Sequence, residues 1–77
     1  MSLQIERTLD LKGLSCPLPI VKTAQAMKTV ASGGHIEVVA TDPGSVKDFA
    51  AWSRTTGNEL VEQSEGDGVY RFVLRRK

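Results

Sequence analysis

The residue with the clearest chemical potential is Cys16, the only cysteine in the 77-residue chain. It opens the run Cys16-Pro17-Leu18-Pro19. Proline is tolerated in the first turn of a helix, whose N–H groups have no partner within the helix, but costs about 3 kcal/mol farther inside. We therefore predict that a helix begins at Pro17, with Cys16 as its N-cap and Pro19 at its third position.

A thiol at that place is suited to sulfur exchange. The helix dipole places partial positive charge at the N-terminus and should lower the pKa of the Cys16 thiol. The resulting thiolate is the species that attacks sulfur, and a persulfide would be favoured there because its terminal sulfur is also an anion. Lys12 and Lys22 would add positive potential if they lie close. The sequence thus predicts transfer of sulfur between thiols.

The other residues exclude several alternative uses of a cysteine. A single cysteine forms no internal disulfide and no C-x-x-C redox pair. His35 is the only histidine, and we interpret it as a surface residue at a turn, with a role as base for Cys16 as the alternative. A thiolate without an oriented acid or base is poorly equipped for hydrolysis. One cysteine and one histidine are too few ligands for a metal site.

Length and charge set the broad class. The chain is long enough for a single domain, residues 1–77. Ten Lys and Arg against nine Asp and Glu give a net charge of +1, which predicts no general attraction to nucleic acid or to anionic membranes. Apolar stretches fall far short of the roughly 20 residues of a membrane span, and the N-terminus lacks a secretory pattern. We expect a cytoplasmic protein with neither membrane nor nucleic acid as a direct partner.

Turn signals divide the chain into six elements in the order β-α-β-α-β-β. We predict strands over residues 5–10, 36–41, 60–64 and 69–75. The first helix should run from Pro17 to a stop at Gly33-Gly34, with its apolar stripe formed by Ile20, Val21, Ala24, Met27 and Ala31. The second should run from Val46 to a cap at Gly57.

These elements predict an α/β two-layer sandwich in which both helices cover one face of a mixed four-stranded sheet. The run Val38-Val39-Ala40 indicates burial on both faces of the second strand. Residues 65–68 predict a hairpin, after which Tyr70, Phe72 and Leu74 share one face. The order of the strands in the sheet is left open.

Three segments resemble a known family. The pattern Leu9-Asp10-x-x-Gly13-x-x-Cys16-Pro17-x-Pro19 resembles the signature of the TusA/SirA family of sulfur carriers. Residues 40–48 (ATDPGSVKD) and 56–60 (TGNEL) resemble two further family blocks in the same order. The resemblance extends to about Leu74 and implies a small cytoplasmic domain of the same element order.

The resemblance also implies a mechanism. In this family a cysteine desulfurase or a rhodanese loads sulfur onto the signature cysteine, here Cys16, and the persulfide then passes to an acceptor such as a DsrE-like protein. The chain would be a sulfurtransferase in the sense of a carrier, with no cofactor beyond the covalent sulfur on Cys16. Family members serve tRNA thiolation, molybdenum cofactor synthesis or sulfur oxidation.

Other residues are candidates for supporting or partner-binding roles. We expect Asp10 to bind loop N–H groups and Gly13 to form a turn, both supporting the site together with the two prolines. Possible partner contacts are Lys12, Lys22, Asp42 and Trp52. Two of these have structural alternatives: Asp42 as a turn residue and Trp52 as part of the core. The basic run 75–77 is interpreted as a frayed end, with docking to an acidic partner as the alternative.

Two other functions compete with sulfur transfer. A small RNA-binding module would show a gel shift with a steep salt dependence that survives loss of the thiol. A thiol-based regulatory adaptor would bind its partner fully as the Cys16→Ser variant. The near-neutral charge and the four aromatic residues argue against the first of these.

Overall fold

The computed structural model describes residues 4–15 and 17–77. The elements are β1 (Ile5–Leu11), α1 (Leu18–Met27), β2 (His35–Ala40), α2 (Ser45–Thr56), β3 (Glu59–Gly66) and β4 (Val69–Arg75). The predicted element order is confirmed, and the strand bounds differ from the predicted ones by no more than two residues. Neither α1 nor α2, the helices of the described ranges, has the length and apolarity to cross a membrane.

The four strands form one mixed sheet in the order β1-β2-β4-β3. β1 and β2 are parallel, and α1 provides the crossover that such a pair requires. β4 is antiparallel to both of its neighbours. Asp67 and Gly68 have φ values of 53° and 76°, as a tight two-residue hairpin requires. Leu11 and Tyr70 both lie beside Ala40, so this hairpin and the loop after β1 are at the same end of the sheet.

The core lies between the sheet and the two helices, which cover the same face. Its buried side chains come from both layers: Leu11, Met27, Val30, Ile36, Val38, Phe49, Phe72 and Leu74. In β2, however, buried residues alternate with half-buried ones, so that Val38 is fully buried and Val39 is not. The prediction that β2 is buried on both faces was wrong, because helices cover only one of them.

α1 ends at Met27, earlier than the predicted stop at Gly33-Gly34. The N–H groups of Thr29 and Val30 donate to carbonyls only three residues back, at 3.0 and 3.1 Å, which tightens the chain out of the α-helix. Gly33, with φ of 86°, instead lies in the turn that leads into β2. α2 ends as predicted, at Gly57 in the left-handed conformation (φ 81°).

The basic segment 75–77 is held in place. The Arg76 N–H donates to the Gly34 carbonyl at 2.8 Å, and the Gly33 N–H donates to the Arg76 carbonyl at 2.9 Å. The Lys77 N–H donates to Asn58 Oδ1 at 2.8 Å, and Ser32 Oγ donates to the Lys77 carbonyl at 2.9 Å. The expectation of a frayed end was therefore wrong, because these bonds extend the β4 pairing past the strand.

Candidate functional site

Residues 12–15, which we call the signature loop, connect β1 to the start of α1. The Leu14 N–H donates to the Leu11 carbonyl at 3.2 Å and closes a turn. Gly13 lies inside this turn with φ of 86°. A Cβ atom added to Gly13 would meet nothing within 4 Å. The turn therefore needs glycine for its backbone angle and not for space.

Two side chains fix the signature loop to the ends of neighbouring strands. Asp10 Oδ1 accepts a hydrogen bond from the Lys12 N–H at 3.1 Å, and Asp10 Oδ2 lies 4.0 Å from the Lys12 ammonium. The Gly13 N–H donates to Thr41 Oγ1 at 2.9 Å. The structure thus brings Asp10, Lys12 and Gly13 together, and it adds Thr41, which was not among the predicted site residues.

The start of α1 is shifted by one residue from its predicted place. The N-cap is Pro17, with φ −99° and ψ 16°, because its carbonyl accepts the first helical hydrogen bond, from the Val21 N–H at 3.1 Å. Leu18 is the first helical residue and Pro19 the second. Assigning Cys16 as the N-cap, Pro17 as the first position and Pro19 as the third was therefore wrong by one position. Both prolines still fall where helical N–H groups lack partners.

Cys16 lies outside the described residues, but the chain on both sides of it is held. The Ser15 carbonyl accepts a hydrogen bond from the Leu18 N–H at 2.9 Å. Pro19 is buried, and its carbonyl also accepts a bond from Thr23 Oγ1 at 2.8 Å. This anchors the first turn of α1 against the core. The catalytic role of Cys16 stays a prediction.

Two apolar side chains near this helix start are exposed. Leu18 and Val21 each have 43% of their surface accessible, the two large hydrophobic residues most open to solvent in the described ranges. Val21 was predicted to belong to the apolar stripe of α1, and no exposure was predicted for Leu18. The spacing of Val21 in α1 allows its side chain to lie either on the buried face or at the exposed border of the helix. Only the packing of α1 against the sheet determines which of these occurs.

Asp42 follows β2 and organises the turn into α2. Its Oδ1 accepts a hydrogen bond from the Gly44 N–H at 3.1 Å, and its carbonyl accepts one from the Ser45 N–H at 2.9 Å. The turn role that we considered as an alternative is therefore present, and a partner role stays a prediction. Ser45 Oγ is buried without a hydrogen-bond partner among the described residues.

Trp52 and Lys22 line two different grooves. Trp52 is half-buried, with its ring 6.4 Å from that of Phe49 in an edge-to-face arrangement. It lines a groove of about 530 Å³ with Met27, in the C-terminal half of α1. Lys22 lines a different groove of about 280 Å³ between α1 and β1. Trp52 is thus a partial core residue, while partner binding by either side chain stays untested.

His35 lies at the far end of the sheet from the signature loop. It begins β2 beside Ile5, whereas Leu11, which leads into the loop, pairs with Ala40. His35 and Ala40 are five residue steps apart along β2, a distance of about 16 Å. His35 is therefore far from the signature loop, and its alternative role as base for Cys16, which lies outside the described residues, stays untested. Residues 4–15 and 17–77 contain no cluster of three metal-ligating side chains.

Comparison with known proteins decides the family. The family profile described as Sulfurtransferase TusA matches residues 7–76, which include every block quoted above. The chain belongs to the TusA family. This confirms the resemblance seen in the sequence.

Individual relatives agree with this assignment. A candidate sulfur carrier protein of Halobacterium salinarum is 52% identical over 94% of this chain and 90% of that protein. The sulfur carrier protein TusA of Allochromatium vinosum is 45% identical over 92% of this chain and 93% of that protein. The crystal structure of a SirA-like protein from Desulfitobacterium hafniense superposes with a TM-score of 0.79 over 90% of this chain and 95% of that one. At 24% identity it bears on the fold alone, and it agrees with the TusA fold described here.

Proposed function

We propose that this TusA-family chain is a single-domain cytoplasmic sulfur carrier that holds sulfane sulfur as a persulfide on Cys16. A cysteine desulfurase or a rhodanese would load it, and a DsrE-like or other acceptor protein would unload it. Membership of the sulfurtransferase family is the observation that carries the proposal. The pathways it could supply are tRNA thiolation, molybdenum cofactor synthesis and sulfur oxidation.

The proposed chemistry is an exchange without net oxidation or reduction. The Cys16 thiolate attacks the terminal sulfur of the donor persulfide, R–S–SH. A new S–S bond forms on Cys16 as the donor S–S bond breaks, and the donor leaves as the thiolate R–S⁻. Unloading repeats the step with an acceptor thiolate as the attacking group. This chemistry requires an accessible thiolate and a partner surface, without a general base or a metal.

The residues around position 16 support such an exchange. The hydrogen bonds from Leu14 to Leu11 and from Leu18 to Ser15 hold the described residues before and after position 16, so a partner would meet a defined surface. Leu18 and Val21 supply exposed apolar area beside it, and contiguous exposed apolar residues are typical of protein–protein contact sites. Lys12, which is half exposed and ion-paired with Asp10, begins the signature loop on the other side of position 16.

Loading by a desulfurase tests the proposal. Incubation with a cysteine desulfurase and cysteine is expected to add about 32 Da to the intact protein, one sulfur atom. The adduct should disappear on treatment with dithiothreitol and should be absent from the Cys16→Ala variant. Inorganic polysulfide serves as a donor that needs no protein contact. If neither donor changes the mass of the wild-type protein, the carrier function is refuted.

A further inference from the structure

Strand β1 is an open edge of the sheet. It is the terminal strand and pairs only with β2. Apart from its pairing with β2, the backbone hydrogen bond that β1 makes within residues 4–15 and 17–77 is the one that the Leu11 carbonyl accepts from the Leu14 N–H. An edge strand presents unpaired N–H and C=O groups along its free side, and such a row is a template for pairing with another chain. β1 leads directly into the signature loop.

A groove runs beside this edge, between β1 and α1. Its floor is apolar, formed by Leu9, Leu11 and Ala26, and its volume is about 280 Å³. Arg7 and Lys22 also line it, and both side chains are exposed. An extended peptide on the β1 edge would point alternate side chains to the same face as Leu9 and Leu11, where this groove would receive them.

The groove carries two cations without a charge partner. The Arg7 guanidinium donates to Thr29 Oγ1 at 2.9 Å, a neutral acceptor that fixes its position. In the part of the chain that the structure describes, neither Arg7 nor Lys22 forms an ion pair. On the opposite, open face of the sheet, Arg71 and Arg75 both have carboxylate partners. The β1 groove thus holds two cations that form no ion pair within the described residues.

The second edge of the sheet, β3, is acidic. It carries the exposed acids Glu59, Glu62 and Glu65, and its pairing is interrupted between Leu60 and Glu62, as the pairing of β1 is between Ile5 and Arg7. A second copy is a poor occupant of the β1 groove, because β1 against β1 would bring two sets of Arg7 and Lys22 together. The charge instead favours an acidic occupant.

We propose that the β1 edge and the β1–α1 groove bind an acidic segment of a partner protein in extended conformation, which adds to the sheet as a fifth strand. Backbone hydrogen bonds to β1 would supply affinity, as in other cases of strand addition. Apolar side chains of the segment would pack on Leu9 and Leu11, and its carboxylates would pair with Arg7 and Lys22. In so far as this partner is a protein that delivers or receives sulfur, the inference rests on the proposed function.

A capped peptide that places two glutamates and two valines on the same face of a strand, acetyl-Glu-Thr-Val-Thr-Val-Thr-Glu-amide, tests the inference on the full chain. Its binding is followed by fluorescence polarisation of a labelled form and by amide hydrogen exchange. The peptide is expected to slow exchange of β1 amides, because groups now open to water become paired. The lysine-for-glutamate peptide should bind at least about tenfold more weakly, since it meets like charges.

Two double variants, one in the groove and one on α2 as its control, test the role of charge. The double variant Arg7→Gln/Lys22→Gln is expected to weaken binding at least about tenfold. The double variant Lys47→Gln/Arg54→Gln removes the same charge from exposed positions on α2 and should change the affinity less than about threefold. Circular dichroism verifies that all variants are folded. Equal losses for the two pairs would mean non-specific attraction and would overturn the inference.

Three further results complete the test. N-methylation of alternate peptide amides should abolish binding, and undiminished affinity would overturn the strand-addition geometry. Sedimentation that shows a dimer lost in the Arg7→Gln/Lys22→Gln variant would instead assign the groove to a second copy. Loading of Cys16 by polysulfide should be normal in that variant. Failure of peptide binding with normal loading refutes only this inference, whereas failure of loading in the wild type refutes the proposed function.

Discussion

At the scale of single residues, the backbone conformation of the signature loop determines how the loop is attached to the sheet. Gly13 is the clearest case, since its positive φ places the N–H that reaches Thr41 Oγ1 and so joins the signature loop to the end of β2. An L-residue in the left-handed region costs roughly 1–2 kcal/mol. The environment of Gly13 has room for a side chain, so this cost is not mixed with a steric clash.

Gly13→Ala is expected to lower the free energy of unfolding by about 1–2 kcal/mol, measured by urea denaturation. Gly66→Ala is a matched control, because its Cβ would also meet nothing within 4 Å and its φ is not positive. The control should change stability by less than about 0.5 kcal/mol. Equal effects of the two substitutions would show that the angle at Gly13 is not the source of the cost.

At the scale of elements, α2 depends on a single large side chain. Ser45 and Phe49 are its buried residues, and Phe49 is fully buried with its ring 4.6 Å from that of Phe72. The edge-to-face contact with Trp52 adds to this packing. Docking of α2 on the sheet, and with it the turn at Asp42, therefore relies on Phe49.

Phe49→Ala is expected to lower the free energy of unfolding by about 3–5 kcal/mol, because it leaves a cavity in the core. A domain of this size has a total stability of roughly 4–12 kcal/mol, so unfolding in urea should begin at much lower concentration. Far-UV circular dichroism gives the midpoint. Ala51→Ser, at an exposed position of the same helix, should shift it little. A small effect of Phe49→Ala would contradict the packing described.

Local signals in the sequence predicted most element boundaries, and long-range contacts account for the misses. Gly57 ends α2 and Asp67-Gly68 form the hairpin turn because these residues adopt positive φ angles. Glycine and aspartate are residue types that favour such turns, so the sequence alone indicates them. The early end of α1 involves Thr29, whose hydroxyl binds the Ala26 carbonyl and accepts a bond from Arg7 of β1. No local pattern contains that contact.

The same distinction applies to the candidate site. The Asp10 bond to the Lys12 N–H spans two residues and was expected from the sequence. The Gly13 bond to Thr41 spans 28 residues, and the exposure of Val21 depends on which face of α1 packs inward. Both follow from tertiary structure and were not predictable from a single sequence.

At the scale of the whole molecule, the two faces of the sheet differ in how charge is arranged. On the open face Arg71 contacts Glu37 through a hydrogen-bonded ion pair and lies 3.5 Å from Glu62. The hydrogen bond that Arg71 donates to Glu37 is the main cause that raises the pKa of Arg71 above its ordinary value. A raised pKa keeps the guanidinium charged, so the contribution of the Arg71–Glu37 ion pair to folding stability is lost only in strong alkali.

A double-mutant cycle with Arg71→Gln and Glu37→Gln should give a coupling free energy of about 0.5–1 kcal/mol. The cycle with Arg75→Gln and Glu59→Gln is the comparison, since that pair is 3.7 Å apart and its side chains are 54% and 63% exposed. Its coupling should be below about 0.3 kcal/mol. Larger coupling in the more exposed pair, measured by urea unfolding, would contradict this ranking.

The placement of loops at opposite ends of the sheet has a practical consequence for assays on a solid support. The signature loop, the Asp42 turn and the Asp67-Gly68 hairpin share one end of the sheet, while Gly33-Gly34 and Arg76 are at the other. A protein immobilised through a linker at Asp67 would turn its signature loop toward the resin. Attachment beside Gly33 would leave that loop facing the medium, free to meet an incoming protein.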